Sequence, residues 1–352
     1  MREYLDRLGY KTIDTGFYEH IRNWREWYNG KVKEFHKYDQ YNGKKTISRE
    51  RATLGMAKKV SQDWANLLLN EKVEITTNSK DVDERVKGIL DSNNFRVRGN
   101  QLIEIAFALG TAAFVEYKED DRIRIDYISA DMIFPLTWRN GEVIECAFAS
   151  EKVIDRKICI YLQIHVLEKG VYVIRNRLFD KNTKQEVRLP PDIKPDFYTK
   201  SPTPLFQIIK PNIVNSIDFY NPMGISVFAD SIDVLKGVDL VYDSYNNEFR
   251  LGKKRIIVPA GAAQIQMDGK TGLKPIFDDN DTEFYALPAT EEFTQLKEIN
   301  MELRSAAHTE GLQQNLNLLS DKCGLGTDRY SYQNGGVKTA TEVVSEKDDL
   351  FQ

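Results

Sequence analysis

Several features are scarce in this chain of 352 residues, and each scarcity removes a class of function. Cysteine occurs three times, at Cys146, Cys159 and Cys323. An odd number without metal-ligand spacing indicates neither a disulfide framework nor a zinc cluster, and reduced thiols are expected. Histidine occurs four times, at His20, His36, His165 and His308, none with a partner at ligand spacing. No stretch of 18 or more apolar residues exists, so no membrane span is expected. The N-terminus carries acids and lacks the apolar core of a secretory signal. There is no internal repeat of 20–50 residues. Net charge is only −4, which argues against a generally basic nucleic-acid clamp. With 41% hydrophobic and 29% charged residues, the balance is that of a folded protein large enough for one large or two ordinary domains.

Catalytic signatures are equally thin. Asp268-Gly269-Lys270-Thr271 has the end of a phosphate-binding loop. The position five before Gly269 is Gln264, however, and Gly272 and Pro275 follow, where such a loop needs a glycine and then a helix. A β-turn is expected there. Asp278, Asp279 and Asp281 lack the glycine and terminal glutamate of a calcium loop and read as solvated. No catalytic residues, cofactor or metal are therefore expected, and the chain does not read as an enzyme.

What is present is a patterned α+β chain. Phe17, Ile21, Trp24 and Tyr28, with Trp27 beside them, form an aromatic stripe on a first helix closed by Gly30. A second helix is expected from about Ser48 to Asn70, a short strand over Glu71–Ile75, a third helix from Val82 to Ser92, and a fourth from Gly99 to Leu109. A β meander follows, from Ala112 to about Leu189, with Asn140-Gly141 as its clearest turn. A proline-rich loop and one more strand, Phe206–Lys210, complete this part.

The longest element is a helix from about Phe228 to Phe249, roughly 33 Å long. Ile232, Leu235, Val238, Tyr242, Tyr245 and Phe249 make one apolar stripe, and Asp230, Asp233, Asp239 and Asp243 lie off it. The acidic series reads either as a solvated face or as a surface that repels the DNA backbone and lets it slide. Arg250, Lys253, Lys254 and Arg255 follow. They either meet phosphates or an acidic partner, or simply complement the helix dipole. A small β module with strands at Arg255–Pro259 and Glu283–Leu287 comes next. Another long helix is expected from Thr290, with Phe293, Leu296, Ile299, Leu303 and Ala306 as its stripe. The two helices would return on each other as a stalk tipped by the β module. Gly335-Gly336 precedes a last helical pattern that runs to Gln352.

Certain stretches resemble phage portal proteins of tailed phages and prophages of Gram-positive bacteria. They are Trp24-Arg-Glu-Trp-Tyr-Asn-Gly30 with Phe35-His36, Met56-Ala-Lys-Lys-Val60, Asp63-Trp64-Ala and Leu68-Leu69-Asn-Glu71-Lys. Later, Gly224-Ile-Ser226 to Tyr245-Asn-Asn-Glu-Phe249 resembles the family's first stem helix, and Gly335-Gly-Val-Lys-Thr-Ala-Thr-Glu342 the segment leading into its tunnel helix. The resemblance covers nearly the whole chain. It implies a wing at 1–225, stem helices at 226–252 and 290–312, a clip at 253–289, and a return to the wing with the start of a tunnel helix at 313–352.

By the same resemblance, the chain is a structural subunit of a ring, usually of twelve copies, at a unique capsid vertex. Double-stranded DNA passes through it without sequence specificity during packaging and ejection. Its partners are further copies of itself, the terminase large subunit, the head-completion adaptor, and the major capsid and scaffolding proteins, and no membrane. Its place is the virion, and the host cytoplasm during assembly. Asp230, Asp233, Asp239 and Asp243 would face the channel, and Arg250, Lys253, Lys254 and Arg255 the motor or adaptor. Family members continue into a full tunnel helix and crown, so a chain ending at Gln352 reads as shortened. The alternatives are a nucleic-acid-processing enzyme or its accessory subunit, and a head-morphogenesis or scaffold-binding protein that forms no ring.

Overall fold

A computed structural model describes residues 1–41, 45–70, 72–119, 122–154, 156–191, 193–251, 255–259, 265–268, 272–275, 284–287, 297–299 and 302–331. The chain opens with α1 (Arg2–Arg7), α2 (Thr15–Tyr28) and the single turn α3 (Lys33–His36). Phe17, Ile21, Trp24 and Trp27 are the buried face of α2. Its stripe therefore ends on Trp27, while Tyr28 donates its hydroxyl to Glu104.

The next stretch corrects the sequence reading. An antiparallel hairpin, β1 (Lys37–Tyr41) and β2 (Thr46–Glu50), occupies the start of the expected second helix. That helix, α4 (Met56–Leu68), begins only after Gly55, whose φ is +71°. The segment before it stays extended because its backbone N–H groups are claimed from afar: Asp243 accepts from Ala52 (3.0 Å) and Asp239 from Leu54 (2.8 Å). The strand expected over Glu71–Ile75 does not form in its described residues, 72–75. Helices α5 (Lys80–Ser92) and α6 (Phe95–Leu109) follow as expected.

The β region is two sheets rather than one meander. Strands β3 (Ala112–Glu119) and β4 (Arg122–Ser129) pair as a hairpin. Strands β5 (Ile133–Arg139), β6 (Glu142–Ile154), β7 (Lys157–Glu168) and β8 (Val171–Asp180) form an antiparallel run. Strands β9 (Glu186–Val187) and β10 (Asp196–Tyr198) both pair with β8. Strand β11 (Phe206–Ile209) returns to the outer edge of β3. Asn140-Gly141 and Lys169-Gly170 turn with positive φ at both residues, the geometry that suits two-residue hairpins.

Helix α7 (Ile232–Leu251) comes next, entered through a 3₁₀ turn at Ala229–Ser231. Beyond it lie β12 (Arg255–Pro259), β13 (Ile265–Asp268), β14 (Gly272–Pro275), β15 (Phe284–Leu287) and β16 (Lys297–Ile299). Strand β12 is central, parallel to β15 and antiparallel to β16. The helix expected from Thr290 is corrected here: Lys297–Ile299 are strand, and the helix, α8, runs Ser305–Lys322. Pairing with β12 overrides the helical spacing of Leu296, Ile299 and Leu303.

The main core gathers α2, α4, β3, β4, the 223–228 segment, Leu235 and Val238 of α7, and Leu316 and Leu319 of α8. Gly110 and Gly224 let two backbone segments meet. A Cβ on Gly110 would lie 2.4 Å from the Gly224 carbonyl oxygen, and the φ of Gly110 is +82°. Among the described residues, no helix is long and apolar enough to cross a membrane.

Candidate functional site

Helices α7 and α8 pack on each other with their inner ends rooted in the core, and their outer ends lead along the chain to the small sheet. Glycine makes the close approach possible. A Cβ on Gly237 would meet Asn315 Oδ1 at 2.6 Å, and Gly311 faces Val241. A glycine inside a helix costs about 1 kcal/mol, which the close packing offsets.

At the root, the acidic series proves to have several roles. Asp239 is 4% exposed. Val32 N–H donates to His36 Nδ1 (3.0 Å), so His36 Nε2 carries the proton and donates to Asp239 Oδ2 (3.1 Å). The other Asp239 oxygen holds Leu54 N–H. Asp243 holds Ala52 N–H through one oxygen and accepts from Asn247 Nδ2 through the other (3.0 Å). One turn apart on α7, these carboxylates fasten alternate residues of the extended 51–55 segment to the helix.

A uniform solvated acidic face is therefore corrected. Asp239 lies in the interior because its partner is a buried imidazole, and Asp243 is half-buried. Asp233 is different: its side chain is 94% exposed, and Lys236 Nζ, 2.9 Å away, lowers its pKa. Asp230 is exposed too and accepts from Ser216 Oγ (3.1 Å).

Toward the outer end, Glu248 receives Arg304 through Nε (3.0 Å), Nη2 (2.8 Å) and the backbone N–H (3.2 Å). These bonds hold its carboxyl well below the usual range, at about 2. The Tyr245 and Phe249 rings meet edge to face at 4.9 Å. Arg250 is exposed in the last turn of α7. Arg255 opens β12, opposite Ile299. Lys253 and Lys254 lie outside the described residues, as do Asp278, Asp279 and Asp281.

The Asp268–Thr271 motif is bracketed by a hairpin, with Asp268 paired to Gly272, so strand rather than helix follows it. Among the described residues, no three His, Cys, Asp or Glu side chains are grouped to hold a metal. Cys146, Cys159 and Cys323 are free and buried.

Sequence reasoning missed the Glu248–Arg304 pair and the anchor of the C-terminal segment. Asp63 is buried, with Lys59 Nζ at 2.7 Å, Tyr330 OH at 3.0 Å and an Arg329 nitrogen at 3.5 Å. The one available signal was an aspartate next to Trp64 on the buried side of α4. Trp64 itself donates to the Cys323 carbonyl (3.0 Å).

No curated protein matches the chain. The family model described as phage portal protein, SPP1 Gp6-like, matches residues 9–352. That is nearly the whole length, and the chain belongs to this family. Membership supports a structural role as a phage portal, in the capsid, rather than an enzymatic one.

Proposed function

We propose that this member of the phage portal family is the repeating subunit of a ring at one capsid vertex, through which double-stranded DNA enters during packaging and leaves at ejection. The observation that carries the reading is the helical pair α7–α8, fixed in the core at one end and leading to a small sheet at the other. Such a part is a strut that presents a docking module.

In this reading residues 1–225 are the wing. The stem is α7 with α8, its second helix taken at Ser305–Lys322 in place of 290–312. The clip is the β module between them, and 323–352 return to the wing and lead into the tunnel helix. Asp230 and Asp233 supply exposed negative charge on the channel side, which keeps phosphates from adhering. Asp243 contributes less because one oxygen is committed to Ala52. Arg250, Lys253, Lys254 and Arg255 form the contact with the terminase large subunit and later with the head-completion adaptor. The outer parts of the wing meet the major capsid and scaffolding proteins.

Negative-stain images and native mass spectra of the purified protein should show closed rings. A strict monomer at high concentration would overturn the proposal. Charge reversal of Arg250, Lys253, Lys254 and Arg255 should abolish terminase binding and leave thermal unfolding unchanged. Retained binding would remove the basic turn from the docking surface.

A further inference from the structure

The loop between β11 and α7 holds two of the three most exposed large apolar side chains among the described residues, Tyr220 and Phe219. Phe219 and Tyr220 are 73% and 82% exposed, with Val214 and Ile217 beside them. The loop is nonetheless ordered. Asn215 Oδ1 accepts from the N–H groups of Ile217 and Asp218, both at 3.0 Å, and Asp218 Oδ1 from Tyr220 N–H (3.1 Å). Asn215 Nδ2 donates to the Met223 carbonyl (2.9 Å), and Ser216 ties the loop to Asp230. The rings of Phe219 and Tyr220 contact edge to face at 5.4 Å. Two aromatic rings fixed on a rigid frame and left in water mark an interaction site.

A second feature is unexplained within one copy. A cavity of about 490 Å³ opens between the two sheets, with Tyr117, Ile123, Ile174, Ile193, Phe197 and Leu205 among its walls. Gln163 also lines it. It is 3% exposed. Its neighbour Asn176 is satisfied by Tyr161 OH (2.7 Å) and the Lys194 carbonyl (2.8 Å). With the Gln163 amide in its wall, the cavity suits an aromatic group that also brings a hydrogen-bonding atom.

The aromatic loop and the cavity sit toward opposite ends of β3. The loop adjoins its start, where Gly224 N–H donates to Thr111 Oγ1 (2.9 Å). The cavity lies at Glu116–Lys118. At about 3.3 Å per residue that separates them by roughly 20 Å, too far for the loop to fill its own cavity while keeping its bonds.

We propose that loop 213–220 of one copy inserts Phe219 and Tyr220 into the cavity of the next, with the Tyr220 hydroxyl pairing with the Gln163 amide. The contact joins unlike surfaces, so it repeats from copy to copy and generates a ring when the rotation closes. This inference rests on the ring reading and names the residues that build it.

The test is cross-linking of the full chain carrying Val214→Cys and Lys194→Cys, both at exposed positions, with a short bismaleimide. The native cysteines are buried. A ladder extending past dimers in the double variant, and in neither single variant, is the expected result. Phe219→Asp with Tyr220→Asp should abolish rings without shifting thermal unfolding. Cross-linking that stops at dimers would overturn the contact as drawn, because a self-complementary patch would then be in use. Rings without any ladder would overturn the contact and leave the ring reading standing. An unassembled wild-type chain would overturn both.

Discussion

The body of the subunit and the outer end of its helical pair are held by different physics. In the body, Leu235, Val238, Leu316 and Leu319 are buried, and the Asp239 carboxylate is matched to His36 and Leu54 away from water. At the outer end Phe249 and Leu303 stand half in solvent, and the helices are joined by the partly exposed Glu248–Arg304 ion pair and by the Tyr245 ring edge against His308. The first kind of contact tolerates salt but not truncation. The second is screened by salt and cheap to lose. A strut built this way has a rigid root and an adjustable tip, which suits a docking module that receives successive partners.

The largest effect should separate two leucines on the same helical pair. Leu316→Ala removes a fully buried side chain and should cost about 2–5 kcal/mol in urea unfolding. Leu240→Ala, at a half-exposed position of α7, should stay within about 0.5 kcal/mol. Equal losses would erase the distinction. A comparable effect tests the polar root. Asp239→Ala strands the donors of His36 and Leu54 and should cost about 1–3 kcal/mol for each donor left without an acceptor. Asp239→Asn keeps an acceptor and should recover part of the loss.

Acid gives the finest comparison, because the two regions titrate in different windows. Burial lowers the His165 pKa from 6.5 to about 3, and the ring sits between Phe148 and Phe206 with both nitrogens unpaired. Below pH 6.5 the unfolded chain takes up a proton that the folded one refuses, so stability should fall by about 1–2 kcal/mol between pH 6.5 and 5. His165→Phe should flatten that limb in denaturation curves. Glu248 contributes above its ordinary value of 4.5 and loses its contribution between 4.5 and about 2. Glu248→Gln should therefore lower stability by a constant amount above pH 5, without changing the slope there, and the deficit should shrink between pH 4.5 and about 2. A change of slope near pH 6 in Glu248→Gln would contradict the assignment.

Much of the fold was legible because it is local. Helices α2, α5 and α6 and the Asn140-Gly141 hairpin follow from spacing and turn chemistry within a dozen residues. What escaped was decided at a distance. Residues 48–55 carry a helical pattern, yet a carboxylate 185 residues away holds the Leu54 N–H and keeps the segment extended. Splitting the strands into two sheets depends on β11 returning to β3 across roughly 90 residues. Likewise, four aspartates at helical spacing look alike as letters. Only His36, 203 residues from Asp239, reveals which of them is interior.

The anchor of Tyr330 on Asp63 spans 267 residues. At about 5–20 residues per second, a ribosome emits that length in roughly 13–53 s. Through that interval Val60 and Trp64 lack the α8 residues and Tyr330 that complete their core cluster in the finished subunit. The nascent chain thus spends much of its synthesis with an open core, and a chaperone that shields apolar surface would govern how many subunits reach assembly.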